Sequence, residues 1–284
     1  MDKAVIIPNI NKDVGLSVTT EVARKLISLG FTVYLSEKYS VSSLTGVEFY
    51  IDFPKEAELI VVVGGDGSVI DASVVAIEHD IPVLGINLGR IGYLAEIDAD
   101  GLEVLSRLKS GEYVIEEKMC LSAELETEDG FFVKAKRFAV NDVVMNQVGS
   151  FGVSYMRLED SLGNYINYRA DGMIVATPQG STAYSLSAGG PILAHNTRGL
   201  LVTPVCPHSF FNRSVLFDCS ECLKIFNTGN EPLTLTVDGR YIGLVAPTRC
   251  CRISSADKKL KMITFSTNST FTNLFRKMKL LEDI

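Results

Sequence analysis

Residues 59–73 read LIVVVGGDGSVIDAS, in which five apolar residues lead directly into a Gly-Gly-Asp-Gly turn and then into a segment of helical character. A short, uninterrupted apolar run that ends at glycines is typical of a buried parallel strand. Glycines let backbone amides approach a phosphate closely, and the amides at the start of the next helix add positive partial charge. The stretch therefore predicts a strand, a phosphate-contacting loop and a helix, with one carboxylate, Asp66, inside the loop.

Asp66 needs its own explanation, because a carboxylate beside a bound phosphate repels it. It could orient a hydroxyl nucleophile or meet a metal ion carried on the phosphates. The simpler alternative is that Asp66 caps the following helix, as aspartate often does. The loop is neither a P-loop, since no lysine follows, nor a dinucleotide fingerprint, since Ile70 stands where the third glycine is required.

Alternating strand and helix patterns organise the N-terminal part of the chain. Apolar strand candidates are separated by helical periodicity, as in residues 16–30, where Gly30 closes the predicted helix. Strands that are apolar throughout indicate a parallel sheet covered on both faces. Residues 98–113 predict a further amphipathic helix opened by an aspartate cap. This part of the chain, residues 1–118, is therefore predicted to be an α/β domain.

The sequence changes character near residue 118. From there, apolar and polar residues alternate in short runs separated by turn signals, which predicts a second domain of mostly antiparallel β-strands over residues 119–260. Residues 261–284 return to helical spacing, and we predict a helical tail that packs back on the first domain.

Composition excludes some partners. The formal charge of −7 and the pI near 5.1 argue against a nucleic-acid or anionic membrane surface. No segment has the length of apolar sequence that a membrane helix needs, and no processing signal is seen, so we expect a cytoplasmic protein.

The cysteines allow a zinc interpretation, because Cys219 and Cys222 form a CxxC and Cys250 and Cys251 are adjacent. We disfavour it, since neighbours on a strand point to opposite faces and no histidine stands nearby. Reduced, structural cysteines are the expected state.

Two further groups of residues have the chemistry of a binding site. Asn141 and Asp142 place an amide beside a carboxylate at a predicted strand start, where they could accept hydrogen bonds from ribose hydroxyls and an adenine amino group. Taken alone, the pair is better explained by a strand-end turn. Arg169 and Asp171 are two residues apart and share a face if the segment is extended.

Residues 168–193 are the densest such stretch. A Pro-Gln-Gly turn leads to hydroxyl-bearing residues at the start of a predicted helix, which ends at a glycine pair. Hydroxyls and free amides at a helix start suit a phosphate or a carboxamide, although ordinary caps would account for one of them. The candidate binding residues are Ser181, Thr182, Ala183, Tyr184 and Ser187.

The remaining polar residues have simpler explanations. Asp238 and Arg240 belong to a hairpin turn or to a site loop. His79, His195 and His208 are best explained as structural residues, because no nucleophile stands with them in a triad pattern.

Together these stretches resemble the bacterial NAD kinase family over nearly the whole chain. The resemblance implies a Rossmann-like N-terminal domain and a β-rich, sandwich-like C-terminal domain. It also implies transfer of the terminal phosphate of ATP, or of polyphosphate, to the 2′-hydroxyl of the adenosine ribose of NAD, by a homodimer or homotetramer. The matching stretches are GGDG at 64–67, IPVLGINLGRIGYLAEID at 81–98, ND at 141–142, YRADG at 168–172, TPQGSTAYSLSAGGPI at 177–192, TPVCPHS at 203–209 and VDG at 237–239.

The resemblance also implies roles for individual residues. Asp66 would orient or deprotonate the 2′-hydroxyl, with Gly65 and Gly67 beside the substrate phosphates. Mg²⁺ or another divalent cation would be held mainly by the donor's phosphates, and no protein ligand for it can be named. The residues expected to contact NAD are Asn141 and Asp142 at the adenosine end, Arg169 and Asp171 at the nicotinamide riboside or a neighbouring subunit's ligand, Thr182 to Ser187 along the pocket, and Arg240.

The chain departs from the commoner family pattern at several positions, none of which removes a group that the chemistry needs. The departures are Ser68 for Thr, Tyr93 for Phe, Asp142 for Glu, Ala170 for Gly and Gln179 for Thr.

Two other functions remain as alternatives to an NAD kinase. One is a lipid or sugar kinase that shares the GGDG loop, and the other is a non-catalytic dinucleotide-sensing protein.

Overall fold

The computed structural model describes residues 1–39, 44–89, 93–147, 149 and 152–265. The chain forms two compact units, one made of residues 1–117 together with residues from 260 onward, and one made of residues 118–259. Leu260–Thr264 enters the first unit as a strand, so a helix does not begin at residue 261 as predicted. The rest of the predicted helical tail, residues 266–284, lies outside the described residues.

Among the described residues, eight strands form the sheet of the first unit. They are β1 (Lys3–Pro8), β2 (Thr32–Ser36), β3 (Glu48–Tyr50), β4 (Leu59–Gly64), β5 (Val83–Asn87), β6 (Ile97–Asp98), β7 (Val114–Lys118) and, from the far end of the chain, β20 (Leu260–Thr264). Their order is β3-β2-β1-β4-β5-β20-β7, with β6 paired to β5. The pairs β1–β2, β2–β3, β1–β4 and β4–β5 are parallel, and every residue of β4 and β5 is buried. The predicted parallel sheet with both faces covered is confirmed.

In the described part of this unit, two helices of more than one turn accompany the sheet, α1 (Ser17–Ser28) and α2 (Asp66–His79). Gly30 follows α1 with a φ of 81°, as expected for a residue that closes a helix. Within the described ranges, no helix is long and apolar enough to span a membrane.

The helix predicted over residues 98–113 is shorter and differently wound. A 3-10 turn, Leu102–Ser106, runs into the single-turn helix α3 (Arg107–Ser110), and the N-cap is Gly101, not an aspartate side chain. The buried residues Leu102, Leu105 and Leu108 recur at every third position. That spacing aligns them along one side of a 3-10 turn, whereas an α-helix needs 3.6 residues per turn.

The second unit is a sandwich of two six-stranded antiparallel sheets, as the sequence predicted. Side chains from both sheets, including Met145, Leu235, Leu223 and Ile253, share one buried core. Its strands are β8 (Leu121–Glu126), β9 (Phe132–Lys134), β10 (Asp142–Gln147), β11 (Ser154–Glu159), β12 (Tyr165–Ala170), β13 (Gly172–Ala176), β14 (Gly199–Val205), β15 (Val215–Asp218), β16 (Cys222–Asn227), β17 (Leu233–Val237), β18 (Arg240–Val245) and β19 (Cys250–Ser255). The two sheets have the orders β15-β14-β13-β10-β17-β18 and β12-β11-β16-β19-β8-β9.

The strand register separates the cysteines that a zinc site would need together. Cys222 pairs with Ser254, whereas Cys250 pairs with Phe226. Cys222 and Cys250 therefore lie four positions apart along the β16–β19 ladder. That offset is about 13 Å. Burial raises the pKa of the Cys251 thiol to about 12, and all six cysteines are free thiols.

A buried carboxylate organises the start of α1 and the turn before it. Asp13 is 3% exposed and lies upstream of the helix, whose own N-cap residue, Leu16, provides no capping side chain. The Asp13 carboxylate accepts hydrogen bonds from the backbone N–H groups of Val18 at 3.0 Å and Thr19 at 2.8 Å, and from the Thr19 hydroxyl at 2.6 Å. Asp13 thus satisfies helix-start donors that would otherwise be buried without partners.

Asp13→Ala is expected to lower the free energy of unfolding by about 1–3 kcal/mol, because it leaves these donors unsatisfied. Urea denaturation measures the change, and the exposed Asp52→Ala in the same unit is the matched control. Equal losses for the two variants would show that Asp13 contributes no more than a surface carboxylate.

Candidate functional site

The Gly-Gly-Asp-Gly loop joins β4 to α2, and Gly65 is the N-cap of that helix. The Asp66 carboxylate does not turn to the helix amides. Its Oδ2 accepts a hydrogen bond from the backbone N–H of Tyr93 at 2.6 Å, and its Oδ1 accepts from Leu94 at 2.8 Å and Ala95 at 3.4 Å. The interpretation of Asp66 as a helix cap is therefore wrong, because its oxygens bind a segment that follows β5.

This arrangement leaves Asp66 able to bind one more group. An ionised carboxylate has about four acceptor positions, and three are taken by the backbone N–H groups of 93–95. Gly67 beside it is exposed, and a Cβ added there would meet nothing within 4 Å. The Asp66 carboxylate is thus fixed in direction and retains one acceptor position for a ligand hydroxyl, next to open space at Gly67.

A cation that sequence reasoning missed lies over this loop. A Cβ built on Gly65 would lie 2.5 Å from the Nζ atom of Lys12, and one built on Gly89 would lie 3.4 Å from it. Lys12 follows β1 in a turn in which its N–H donates to the carbonyl of Asn9 at 3.0 Å. Its ammonium group supplies the positive charge that a phosphate loop containing Asp66 requires. No motif around Lys12 indicated this, because only the adjacency of β1 and β4 brings it to the loop.

The loop is also fixed from its other side by Ser68. The Nδ2 group of Asn9 donates to Ser68 Oγ at 2.8 Å, and a Cβ on Gly64 would lie 2.3 Å from that oxygen. Glycine at position 64 therefore allows Ser68 to bridge β4 and the turn after β1.

In the second unit, Asn141 and Asp142 lie where β10 begins, and Asp238 holds them there. The Asp238 carboxylate accepts hydrogen bonds from the backbone N–H groups of Val140 at 2.8 Å, Asn141 at 2.8 Å and Asp142 at 3.0 Å. Asp238 and Gly239 have φ values of 48° and 72° in the turn between β17 and β18. The predicted hairpin turn is confirmed. The side chain of Asp238 also fixes the start of β10, for which the sequence provided no signal.

The turn after β13 packs against the same residues from the other side. The N–H of Thr177 donates to the carbonyl of Asn141 at 2.8 Å, and its hydroxyl donates to the carbonyl of Val140 at 2.6 Å. A Cβ on Gly180 would lie only 2.0 Å from the Asn141 carbonyl oxygen, so this position requires glycine. These contacts bring the Asn141–Asp142 pair to the start of the 180–187 stretch.

The single helix predicted from Ser181 to the glycine pair 189–190 is wrong. A 3-10 turn, Gly180–Thr182, is separated from the one-turn helix α4 (Tyr184–Ser187) by Ala183, whose φ of −100° and ψ of −128° are not helical. Tyr184 and Ser187 are exposed, and Thr182 is half-buried.

Ser181, a predicted binding residue, has hydrogen bonds inside the protein. It is fully buried, its hydroxyl donates to the carbonyl of Pro178 at 2.7 Å, and the same oxygen accepts from the N–H of Leu193 at 3.0 Å. Its side chain therefore closes the turn, and the exposed neighbours in the stretch remain as candidates for ligand contact.

Electrostatic interactions show which other candidates lie near Asp142. Burial, followed by the charges of Cys206, Asp142 and Asp171, raises the pKa of the Tyr184 phenol. The structure thus brings Tyr184 into the neighbourhood of Asp142 and Asp171.

The two candidate arginines have different surroundings. Arg169 and Asp171 are both exposed while Ala170 between them is fully buried, and the Arg169 guanidinium lies 5.5 Å from the ring centroid of Tyr155. Arg240 opens β18 directly after the Asp238 turn. The backbone N–H of His208 donates to the carbonyl of Arg169 at 2.7 Å.

Asp142, which is buried, and Asp238, which is partly buried, form a pair of neighbouring carboxyl groups. Burial, and then the charge of Asp238, raises the pKa of Asp142 to about 7. Burial also raises the pKa of Asp238, but the three backbone N–H groups that it accepts oppose this shift. The backbone N–H groups thus favour the ionised form of Asp238, and Asp142 is the member of the pair whose pKa reaches about 7.

Asp142→Asn is expected to change how stability depends on pH. The folded wild-type protein holds the Asp142 proton up to about pH 7, whereas the unfolded chain releases it near pH 4, so this group makes the protein less stable as pH rises between those values. From pH 5 to pH 8 the variant should gain roughly 2–3 kcal/mol in unfolding free energy relative to wild type. Urea denaturation at both pH values tests this, with the exposed Asp129→Asn as control. A difference between Asp142→Asn and wild type that does not vary with pH would contradict it.

Comparison with known proteins identifies the family. Residues 4–113 match the family model of the ATP-NAD kinase N-terminal domain, and residues 140–265 match that of the ATP-NAD kinase C-terminal domain. An NAD kinase of Lachnoclostridium phytofermentans is 34% identical over 95% of this chain and 96% of its own length. An NAD kinase of Natranaerobius thermophilus is 35% identical over 96% of each chain.

Solved structures share the fold. The crystal structure of yeast NADH kinase complexed with NADH superposes with a TM-score of 0.84 at 20% identity, covering 98% of this chain and 88% of the yeast chain. An NAD kinase from Archaeoglobus fulgidus in complex with ATP has a TM-score of 0.71 at 21% identity and covers 99% of each chain. The sequence matches and the shared fold lead to one conclusion, that this chain belongs to the NAD kinase family.

Proposed function

We propose that this chain transfers the terminal phosphate of ATP, or of polyphosphate, to the 2′-hydroxyl of the adenosine ribose of NAD and so forms NADP. The observation that carries this proposal is the glycine loop after β4. In it, three backbone N–H groups hold the Asp66 carboxylate, and the Lys12 ammonium group lies close to Gly65. Phosphoryl transfer depends on positioning and charge neutralisation more than on a strong base, and this loop offers both.

The first unit provides the donor end of the reaction in this proposal. Asp66 accepts the hydrogen bond of the 2′-hydroxyl with its remaining acceptor position and directs that oxygen toward the terminal phosphate. Gly65 and Gly67 allow the phosphates to reach the backbone amides, and Lys12 neutralises part of their charge.

The second unit provides the acceptor end. Asn141 and Asp142, clamped by Asp238 and the turn after β13, accept hydrogen bonds from the adenosine of NAD. The other contacts with NAD are proposed for Arg169, Asp171, Thr182, Ala183, Tyr184, Ser187 and Arg240.

We propose that a divalent cation arrives on the donor's phosphates, and we name no protein ligand for it. Within the described ranges, no three His, Cys, Asp or Glu side chains are grouped so that they could hold a metal ion. Mg²⁺ commonly keeps several waters and binds through substrate phosphates. When bound, the ion would neutralise charge on the transferred phosphate.

We also propose a homodimer or homotetramer in the cytoplasm. Phe210 is fully exposed and Phe211 is partly exposed, in a segment that also contacts Arg169 through Ser209, so assembly would cover apolar surface next to a candidate binding residue. Six free thiols suit a reducing compartment.

The proposal is tested by giving the purified protein NAD, ATP and Mg²⁺ and measuring NADP with an NADP-specific dehydrogenase. NADP formation is expected. Binding of NAD by calorimetry without NADP formation would favour the dinucleotide-sensing alternative, and phosphorylation of a lipid or sugar without NAD would favour the other kinases.

Asp66→Asn should lower kcat by about 100-fold or more, because it weakens the acceptor for the 2′-hydroxyl, while NAD binding by calorimetry stays within about threefold of wild type. Asp98→Asn, a carboxylate on the neighbouring strand β6, is the control and should retain turnover. If both variants turn over like wild type, Asp66 serves only to hold residues 93–95.

Lys12→Gln should raise the KM for ATP by roughly 10- to 100-fold, because the lost hydrogen bond to a charged phosphate is worth about 1.5–3 kcal/mol. The KM for NAD should stay within about twofold. Lys55→Gln removes an exposed lysine elsewhere in the same unit and serves as the control. An unchanged KM for ATP in Lys12→Gln would remove Lys12 from the donor site.

A further inference from the structure

The second unit contains a chain of three hydrogen-bonded hydroxyl groups. Ser185 Oγ and Thr203 Oγ1 lie 2.9 Å apart, and Thr203 Oγ1 and Ser214 Oγ lie 3.0 Å apart. Ser185 is fully buried and Thr203 is 1% exposed. Because a hydroxyl group that is buried without a partner costs free energy, these bonds hold both side chains in the positions where they meet.

Thr203 is a polar residue on an otherwise apolar face of β14. Val202 packs in the core of the sandwich, whereas Leu201 and Val205 pack in a separate apolar cluster. Since side chains alternate along a strand, Thr203 lies on the same face as Leu201 and Val205, opposite the sandwich core. Its hydroxyl provides a hydrogen-bonding group on this face, and that group meets Ser185 of α4.

The helix α4 is attached to the fold by this contact. Of its four residues, all of which the structure describes, only Ser185 is buried. A helix of one turn is not stable by itself, so tertiary contacts must hold it. Tyr184 and Leu186 are 44% and 38% exposed, and Ser187 is exposed as well. The bond between Ser185 and Thr203 therefore anchors α4 to β14 through the one buried side chain of the helix.

Gly190 packs against this anchor from the other side. Its N–H donates to the carbonyl of Ser185 at 2.8 Å. A Cβ added to Gly190 would lie 2.4 Å from Ser185 Oγ and 2.9 Å from Thr203 Oγ1. Glycine at this position thus allows the backbone to lie directly against both hydroxyl groups.

We infer that Ser185 and Thr203 are positioning residues for NAD, because their hydrogen bond holds α4 in the orientation in which Tyr184 and Ser187 meet the dinucleotide. The inference rests on the proposed function, in which Tyr184 and Ser187 contact NAD, and it adds the residues that orient them. Ser185 is buried and acts through its exposed neighbours. Tyr184 lies in the neighbourhood of Asp142, so the orientation of α4 decides whether these two side chains act on the same ligand.

Ser214 extends the hydroxyl chain and is its weaker member. It is half-buried and lies directly before β15. Water can replace a lost hydroxyl at a half-buried position but not at a fully buried one. Substitution of Ser214 is therefore expected to have a smaller effect than substitution of Ser185 or Thr203.

Steady-state kinetics with the full chain test the inference. Ser185→Ala and Thr203→Val each remove one hydroxyl and leave its buried partner unsatisfied. Each should raise the KM for NAD by about tenfold and leave the KM for ATP within about twofold of wild type, because the donor is proposed to bind the first unit. Ser214→Ala should raise the KM for NAD by about threefold or less. Thr203→Ser keeps the hydroxyl, so its KM for NAD should stay within about twofold of wild type.

Thr20→Val is the matched control. Thr20 is buried in the first unit, and its hydroxyl donates to the carbonyl of Leu16 at 2.6 Å, so the variant loses a hydrogen bond of similar kind. Its KM for NAD should not change. A rise in Thr20→Val as large as that in Thr203→Val would overturn the inference, since the loss of any buried hydroxyl would then have the same effect. An unchanged KM for NAD in both Ser185→Ala and Thr203→Val, or a KM in Thr203→Ser as high as in Thr203→Val, would overturn it too.

Hydrogen–deuterium exchange measures the anchor without turnover. The N–H groups of Ala188 and Gly190 donate to the carbonyls of Tyr184 and Ser185. Exchange at these two amides should become about tenfold faster in Ser185→Ala and should not change in Thr20→Val. Unchanged exchange in Ser185→Ala would overturn the inference even if the protein makes NADP. If wild type binds NAD by calorimetry but forms no NADP, an NAD affinity about tenfold weaker in Ser185→Ala supports the inference, and only the proposed reaction fails.

Discussion

Carboxylates that accept hydrogen bonds from several backbone N–H groups determine the geometry of both candidate sites. Asp66 holds residues 93–95, Asp238 holds residues 140–142, and Asp13 holds the start of α1 next to Lys12. N–H groups in loops lack the regular partners of helices and sheets, and a carboxylate can satisfy several of them with strong, charge-assisted bonds. Each carboxylate thereby stabilises one conformation of its loop. It does so without placing a bulky side chain in the space that a ligand needs.

This form of preorganisation suits the reaction of the NAD kinase family. Phosphoryl transfer requires a hydroxyl, a phosphate and compensating charge to be held in line, and little covalent chemistry from the protein. In the first unit, Asp66 is already oriented and Lys12 already lies over Gly65. In the second unit, burial raises the pKa of Asp142 to about 7, whereas three backbone N–H groups favour the ionised form of the neighbouring Asp238. Asp66 and Asp238 are thus both compensated by backbone N–H groups, and Lys12 adds a cation beside Gly65.

The sheet topology explains why the residues around the glycine loop come from distant parts of the sequence. Because β1 lies between β2 and β4, the turn after β1 is adjacent to the glycine loop on one side and, on the other, to a cavity lined in part by Tyr39 and Tyr50. Asn9 takes part in both, through its hydrogen bond to Ser68 and its place in the Lys12 turn. A sequence pattern shows only the Gly-Gly-Asp-Gly stretch, since the residues around Lys12, Tyr39 and Tyr50 have no motif of their own.

The sequence by itself determined the features that depend on neighbouring residues: the apolar strand, glycine loop and helix of residues 59–73, the change to alternating strands after residue 118, and the Asp238–Gly239 hairpin. Resemblance to a family then supplied the reaction. Only the tertiary structure decided that Asp66 binds residues 93–95 instead of its own helix, that Asp238 fixes the start of β10, that Ser181 points inward, and that Lys12 lies over Gly65. The physical reason is that hydrophobic periodicity and turn chemistry are local properties, whereas contacts between distant residues, such as those of Asp238 with the start of β10, depend on which elements become neighbours in the fold.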